Sequence, residues 1–158
     1  MDQPPSPFRV IASGDRTVTV TRGFASPGQR ILRAHIDPDI APLWLGTPQA
    51  PLRDCQIDPR PGGRFRYVWK QPDGGKMVAS GQFIDLTATR IRHEETYDPD
   101  WTDGPVQVTT EIGAQGHGTL LTLSMRYRDR TTRDRVLASA MPETLRQSYD
   151  RLEALLDD

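Results

Sequence analysis

Residues 58–75 read "DPRPGGRFRYVWKQPDGG", two glycine pairs and three prolines around a single apolar run. Glycine pairs suggest a phosphate-binding loop, in which bare backbone N–H groups close on an anion. That chemistry needs Gly-Lys-Ser/Thr, or a third spaced glycine, opening a helix. Here Gly62 and Gly63 run instead into Arg64-Phe65-Arg66-Tyr67-Val68-Trp69, where polar and large apolar side chains alternate with period two. The glycines therefore open a strand, Pro72-Asp73-Gly74-Gly75 reverses the chain after it, and Phe65, Tyr67 and Trp69 point to one face.

The same pattern extends in both directions. Strands are expected over 52–58, 63–70, 77–86, 90–97, 105–113 and 118–127, joined by connections rich in proline, glycine or aspartate and short enough for hairpins, so the sheet is antiparallel. Upstream, "RTVTVTRGF" (16–24) is a first strand. Ser26-Pro27 then reads as a cap and first turn of a short helix bearing Ile31, Leu32 and Ala34. Asp37-Pro38 repeats the device for a second helix with Ile40, Leu43, Trp44 and Leu45, stopped by Gly46. Downstream of Thr131 the period becomes helical through Leu137, Met141, Leu145, Ser148, Leu152 and Leu155/Leu156. Pro142 interrupts this run and requires a kink or a fresh helix start. Residues 1–15 hold three prolines and few apolar side chains and read as a mobile lead-in to a single domain over 16–158. The fold class is α+β, with a curved antiparallel sheet against a long C-terminal helix.

With 158 residues the chain is large enough for one domain with a substantial core, and a net charge of −1 offers no basic excess for nucleic acid or an anionic membrane. Arg126, Arg128, Arg130, Arg133 and Arg135 cluster locally, but Asp129 and Asp134 interrupt them, which describes a solvated strand end and first helical turn. The single cysteine, Cys55, forms no intramolecular disulfide and suits a reducing compartment. The acidic start "MDQPPSPFRV" is not a signal peptide and no apolar run is long enough to span a bilayer, so a cytoplasmic location is expected.

At the level of residues the chain resembles the Hsp90-ATPase-activator-homologue-like family of the START/Bet v 1 superfamily. The matching stretches are Thr21-Arg22-x-Phe24 with Ser26-Pro27, and Ala34-x-x-Asp37-Pro38 with Trp44 and Gly46. They continue through Asp58-x-Arg60-Pro61-Gly62-Gly63-x-Phe65, Pro72-Asp73-Gly74, Gly81-x-Phe83 and Gly118-Thr119-x-Leu121-Thr122, and end at Met141 and Asp150-Arg151-Leu152. The resemblance implies a helix-grip fold with an apolar cavity between sheet and last helix. The chain departs from the family pattern in having one tryptophan, Trp44, where two are usual, and Ala140, Pro142 and Leu145 where glycine, an acid and tryptophan are common. A leucine in place of an indole leaves more room beside the sheet.

On the predicted strand 90–97, Ile91, His93, Glu95 and Tyr97 share the face that register with the family turns inward. The residues allow two readings. His93 and Glu95 act on a bound molecule as proton partners or general base, or His93 packs with both ring nitrogens satisfied while Glu95 reaches the cavity mouth to pair with an arginine. His35, His93 and His117 lie too far apart in sequence to suggest zinc, and His93-Glu94-Glu95 lacks the Pro-Cys-x-x-Cys of the deaminases. No serine sits in a Gly-x-Ser-x-Gly elbow, and Cys55 on a strand reads as a small hydrophobe. The Gly113–Thr119 segment sits between strands as a hairpin turn, and the acidic loop Asp98-Asp100-Asp103 lacks calcium spacing.

These readings point to a binder of a small, largely apolar molecule, with no cofactor and no metal. Trp44, Tyr67, Trp69, Phe83, Met141 and Leu145 are its expected walls and His93, Glu95 and Tyr97 its polar handles. Through the resemblance two alternatives stay open: an interaction module for an Hsp90-type chaperone, although the chaperone-activating relatives carry a further domain, and a cyclase- or hydrolase-type enzyme using the same cavity. Monomer and homodimer are equally compatible with the sequence.

Overall fold

Period-two alternation and turn chemistry give eight strands and four helices in the computed structural model, which describes residues 4–157. In chain order these are β1 (Arg9–Ser13), β2 (Thr17–Phe24), α1 (Gly28–Ile36), α2 (Ala41–Trp44), β3 (Leu52–Ile57), β4 (Arg64–Lys70), β5 (Lys76–Leu86), β6 (Arg90–Asp98), β7 (Val106–Gln115), β8 (Gly118–Arg126), α3 (Arg130–Ala138) and α4 (Met141–Leu156). All strands join one antiparallel sheet in the order β1-β2-β8-β7-β6-β5-β4-β3, so the long connection through α1 and α2 carries the chain from one edge region to the other. The result is the helix-grip architecture.

The glycine pair acts as the alternation requires. Gly62 adopts φ +82° and donates its N–H to the Phe83 carbonyl at 2.8 Å, while Phe83 donates back to Gly63 at 2.9 Å. A Cβ on Gly63 would lie 2.1 Å from the Asp58 carbonyl oxygen, so only glycine lets the chain fold back this closely before β4. Gly74, at φ +90°, closes the β4–β5 hairpin.

Three expectations are corrected. Residues 1–3 of the expected mobile lead-in lie outside the described residues, but Arg9–Ser13 forms edge strand β1 on β2, with Val10 opposite Val20. Phe8 and Val10 pack on the main core, and Gly23 donates to the Ser6 carbonyl at 2.8 Å. Ser26 does not cap α1: the cap position is Pro27, and the Ser26 carbonyl instead accepts a hydrogen bond from the Thr119 hydroxyl at 2.8 Å. Arg133 is not a solvated charge. Its guanidinium is buried and donates to the carbonyls of Thr17, Gly14 and Ser13 at 3.0, 3.2 and 3.4 Å, tying α3 to the β1–β2 turn. At Pro142 the helix restarts rather than kinks: α3 stops at Ala138, and α4 takes Pro142 in its first turn, where the missing N–H costs no bond.

The inner face of the sheet carries two apolar clusters. The larger joins Val18, Val20, Leu121 and Leu123 of β2 and β8 to Val136, Tyr149, Leu152 and Leu156 of the last two helices. The smaller joins Leu32 of α1 to Phe65, Phe83 and Ile91 of β4, β5 and β6. Trp44 belongs to the first: its indole N–H donates to the Ala34 carbonyl at 2.9 Å and its ring stacks on Tyr149, with centroids 6.1 Å apart.

His35 of α1 stands edge-on to Trp44 at 4.7 Å, with Nδ1 2.7 Å from the Ile31 carbonyl. A carbonyl only accepts, so the proton sits on Nδ1. Burial, reinforced by the charge of His93 and opposed by the bond to Ile31, lowers the His35 pKa from 6.5 to about 4. A histidine depressed in the folded state favours folding above its unfolded pKa, and that contribution is lost as pH falls from 6.5 toward 4. The protein should therefore lose about 2 kcal/mol between about pH 7 and about pH 5 through this group alone. Urea unfolding at both pH values should show this loss in the parent and a clearly smaller one in His35→Phe; equal losses would refute the assignment. A second prediction concerns Gly81, where a Cβ would lie 2.0 Å from the Glu94 carbonyl oxygen and 2.5 Å from Phe65 Cζ. Gly81→Ala should lower stability by about 2 kcal/mol or more, measured by the same unfolding assay, because backbone blocks the new methyl.

Candidate functional site

Strand β6 places Ile91, His93, Glu95 and Tyr97 on the inner face, opposite Leu86, Phe83, Gly81 and Ala79 of β5. Beyond β5, the inner residues of β4 are Phe65, Tyr67 and Trp69, opposite Gly81, Ala79 and Met77. Two small residues, Ala79 and Gly81, thus separate a row of aromatic rings from a row of polar groups. The Phe65 ring occupies the space above Gly81 and stacks on Tyr67 at 5.1 Å, and Tyr67 meets Trp69 edge-to-face at 5.7 Å. On the β6 side, Tyr97 meets Trp101 edge-to-face at 5.5 Å.

Within the polar row the Glu95 carboxylate is held from both sides. His93 Nε2 lies 2.7 Å from Oε1, and the Tyr97 hydroxyl donates a short hydrogen bond to Oε2. Burial pushes the Glu95 pKa up, but the bond and charge of His93 and the Tyr97 hydroxyl outweigh it and hold the carboxyl below its ordinary value. An ionised carboxylate only accepts, so His93 carries its proton on Nε2. Nδ1 is buried without a hydrogen-bond partner, and the ring is wedged edge-on against Phe65 at 5.0 Å and Phe83 at 6.3 Å. Around this row burial raises the phenol pKa of Tyr97, Tyr127 and Tyr67, and the Glu95 charge raises each further, with Cys55 adding its own effect at Tyr67. Cys55, opposite Tyr67 on β3, is pushed up to about 11 by burial and by Asp54, which keeps it a thiol.

The expected site residues divide into two groups. Trp44 and Phe83, 1% and 3% accessible, are core. Tyr67, Trp69, His93, Glu95, Tyr97, Met141 and Leu145 are all partly accessible, with the His93 and Glu95 side chains at 17% and 14%. The expectation that Glu95 pairs with an arginine is corrected, since its partners are His93 and Tyr97. The expectation that both His93 nitrogens are satisfied holds for Nε2 alone. His35 and Trp101 were not among the expected site residues, because helix periodicity places His35 without revealing that α1 carries it toward β6, and Trp101 sits in a loop with no period at all.

Two recesses, of about 330 and 280 Å³, are polar and lie on the outer face of the sheet, lined by side chains such as Arg64, Arg66 and Ser80 in one and Arg92, Thr109 and Arg126 in the other. Neither is lined by Tyr67, Trp69, Glu95, Tyr97, Met141 or Leu145. Among the described residues no three His, Cys, Asp or Glu side chains group as metal ligands, and no helix is long and apolar enough to cross a membrane.

No functionally curated protein matches the chain. Among solved structures, a protein of Rhodobacter sphaeroides is 28% identical, covering 95% of this chain and 98% of its own at a TM-score of 0.88. A protein of Mycobacterium smegmatis, 23% identical with 97% of each chain covered, shares the fold at 0.83. The order of strands, the paired short helices after β2 and the long closing helix agree with a family match that spans residues 25–157: the chain belongs to the family described as Activator of Hsp90 ATPase homolog 1-like protein.

Proposed function

We propose that the protein binds a small, largely apolar molecule in the groove between the inner face of β4–β6 and the N-terminal half of α4. The observation that carries this reading is a gradient of burial along one continuous surface. Where α4 meets β2 and β8, the inner side chains Val18, Val20, Leu121 and Leu152 are wholly buried. Toward β4–β6, Tyr67, Trp69, Tyr97, Met141 and Leu145 keep accessible surface although they face the same interior. Covering such surface by a ligand releases about 25 cal/mol per Å² of apolar area, and aromatic walls with few polar groups are the usual composition of such sites.

The family description speaks of activating the Hsp90 ATPase. Here the accessible rings lie on the inner face of the sheet, the face that carries the core, so a small molecule fits them better than a folded chaperone surface. Catalysis is less well served: the ring nitrogen that Glu95 would prime for proton abstraction, His93 Nδ1, is buried against Phe65 and Phe83 and faces no substrate. The one-thiol composition supports placing this activity in the cytoplasm.

The neutral fluorescent probe N-phenyl-1-naphthylamine should bind the parent with enhanced, blue-shifted emission. Leu145→Trp, which puts an indole into the groove from α4, should weaken that binding at least tenfold, whereas Ile84→Trp on the outer face should leave it within a factor of two. Unchanged binding by the Leu145 variant would sink the placement.

A further inference from the structure

We infer that the groove selects a ligand carrying a positively charged ammonium group on its apolar body, and that Glu95 is the residue that recognises it. The inference rests on the groove reading above and names the chemistry of its occupant. Its first support is a charge inventory. Glu95 faces Gly81 of β5 and Val106 of β7, and its own strand offers His93 and Tyr97. The Tyr67 and Tyr127 phenols come near it from β4 and from the end of β8, His35 of α1 approaches His93, and Met141 and Leu145 of α4 are uncharged. The inward positions of β4 to β7 hold no lysine or arginine. The arginines of α4 are engaged elsewhere, Arg146 with Glu143 and Asp150 and Arg151 with the Gly46 and Leu43 carbonyls.

The second support is hydrogen-bond logic. Each carboxylate oxygen already accepts one bond, from His93 and from Tyr97, which orients the group and leaves a free lone pair on each oxygen for a further donor.

The third support is the surrounding surface. Tyr67, Trp69 and Tyr97 of the inner face, with Trp101 against Tyr97, are all partly accessible. The negative faces of such rings attract cations, most strongly where water is excluded. A carboxylate inside an aromatic enclosure suits an alkyl or aryl ammonium and repels a carboxylate.

Three probes of equal length separate charge from bulk: 4-phenylbutylamine, 4-phenylbutanol and 4-phenylbutyrate, each titrated as a competitor of N-phenyl-1-naphthylamine at neutral pH. The amine should bind at least tenfold more tightly than the alcohol, and the carboxylate more weakly than either. Glu95→Gln keeps the shape and an acceptor oxygen; it should erase the advantage of the amine while the alcohol binds within twofold of its parent value. Equal binding of amine and alcohol in the parent overturns the charge inference and leaves the groove intact. Failure of all three to displace the bound probe also overturns it, while failure of the naphthylamine itself to bind overturns the groove reading and this inference together. Should Glu95→Gln not fold, the order of the three probes on the parent still decides.

Discussion

The carbonyl of Gly46 is the point on which the placement of the closing helix depends. Gly46 ends α2 with φ +83°, and a Cβ there would lie 2.7 Å from the Ala50 carbonyl oxygen, so the turn is open to glycine alone. Its carbonyl accepts from the Arg151 guanidinium at 2.6 Å and the Ser148 hydroxyl at 3.2 Å, and Arg151 also reaches the Leu43 carbonyl. Two residues of α4 one turn apart thus satisfy the free end of α2, where a cation is favoured by the helix dipole. Arg22 on β2 adds an ion pair to Asp150 at 2.6 Å from the other side. Trp44 can then stack on Tyr149, and Leu152 and Leu156 drop into the core. Every one of these anchors lies at Ser148 or beyond, whereas residues 141–147 of α4 reach the core through the packing of Met141 and Leu145.

A consequence is that the interior polar row survives without solvent. A buried carboxylate is costly unless its lone pairs are met. On β6 the pleat brings both partners from the same strand, two residues either side, so the cost is offset locally and does not depend on how α4 sits. The row also divides the two apolar clusters, with His93 touching the rings of the smaller one and Tyr97 packed on the larger. The sheet therefore has a structural reason to tolerate charge at its centre.

The parts of this arrangement that follow from local rules were legible in the sequence. The strand-opening glycines, the hairpins and the shared face of His93, Glu95 and Tyr97 follow from alternation and turn chemistry, whereas the inward direction of that face comes from the family resemblance and the missing N–H of Pro142 leaves a kink and a fresh start both open. The rest depends on contacts distant in the chain. Strand β1 is only five residues long and sends little into the core, so its pairing with β2 has no signature of its own. Arg133 looks like its neighbouring arginines until the β1–β2 turn presents three carbonyls to it. Ser26 has the composition of a cap, but the approach of Thr119 from 93 residues away gives its carbonyl another task. Trp44, an aromatic on a short helix, reads equally as wall or core until Tyr149 claims its face.

The restart at Pro142 also separates the direction of α4 from that of α3. In a continuous helix from Arg130 onward, the backbone hydrogen bonds would fix the direction of the first turns of α4 by that of α3, which Arg133 holds against β1 and β2. The break at Ser139-Ala140 uncouples them: the Ser139 hydroxyl donates to the Val136 carbonyl at 2.6 Å and accepts from the Met141 N–H at 3.1 Å, closing both helix ends within one turn. Helix α4 is then aimed by its own contacts, the hydrogen bonds of Ser148 and Arg151 and the packing of Met141 and Leu145 against the larger cluster.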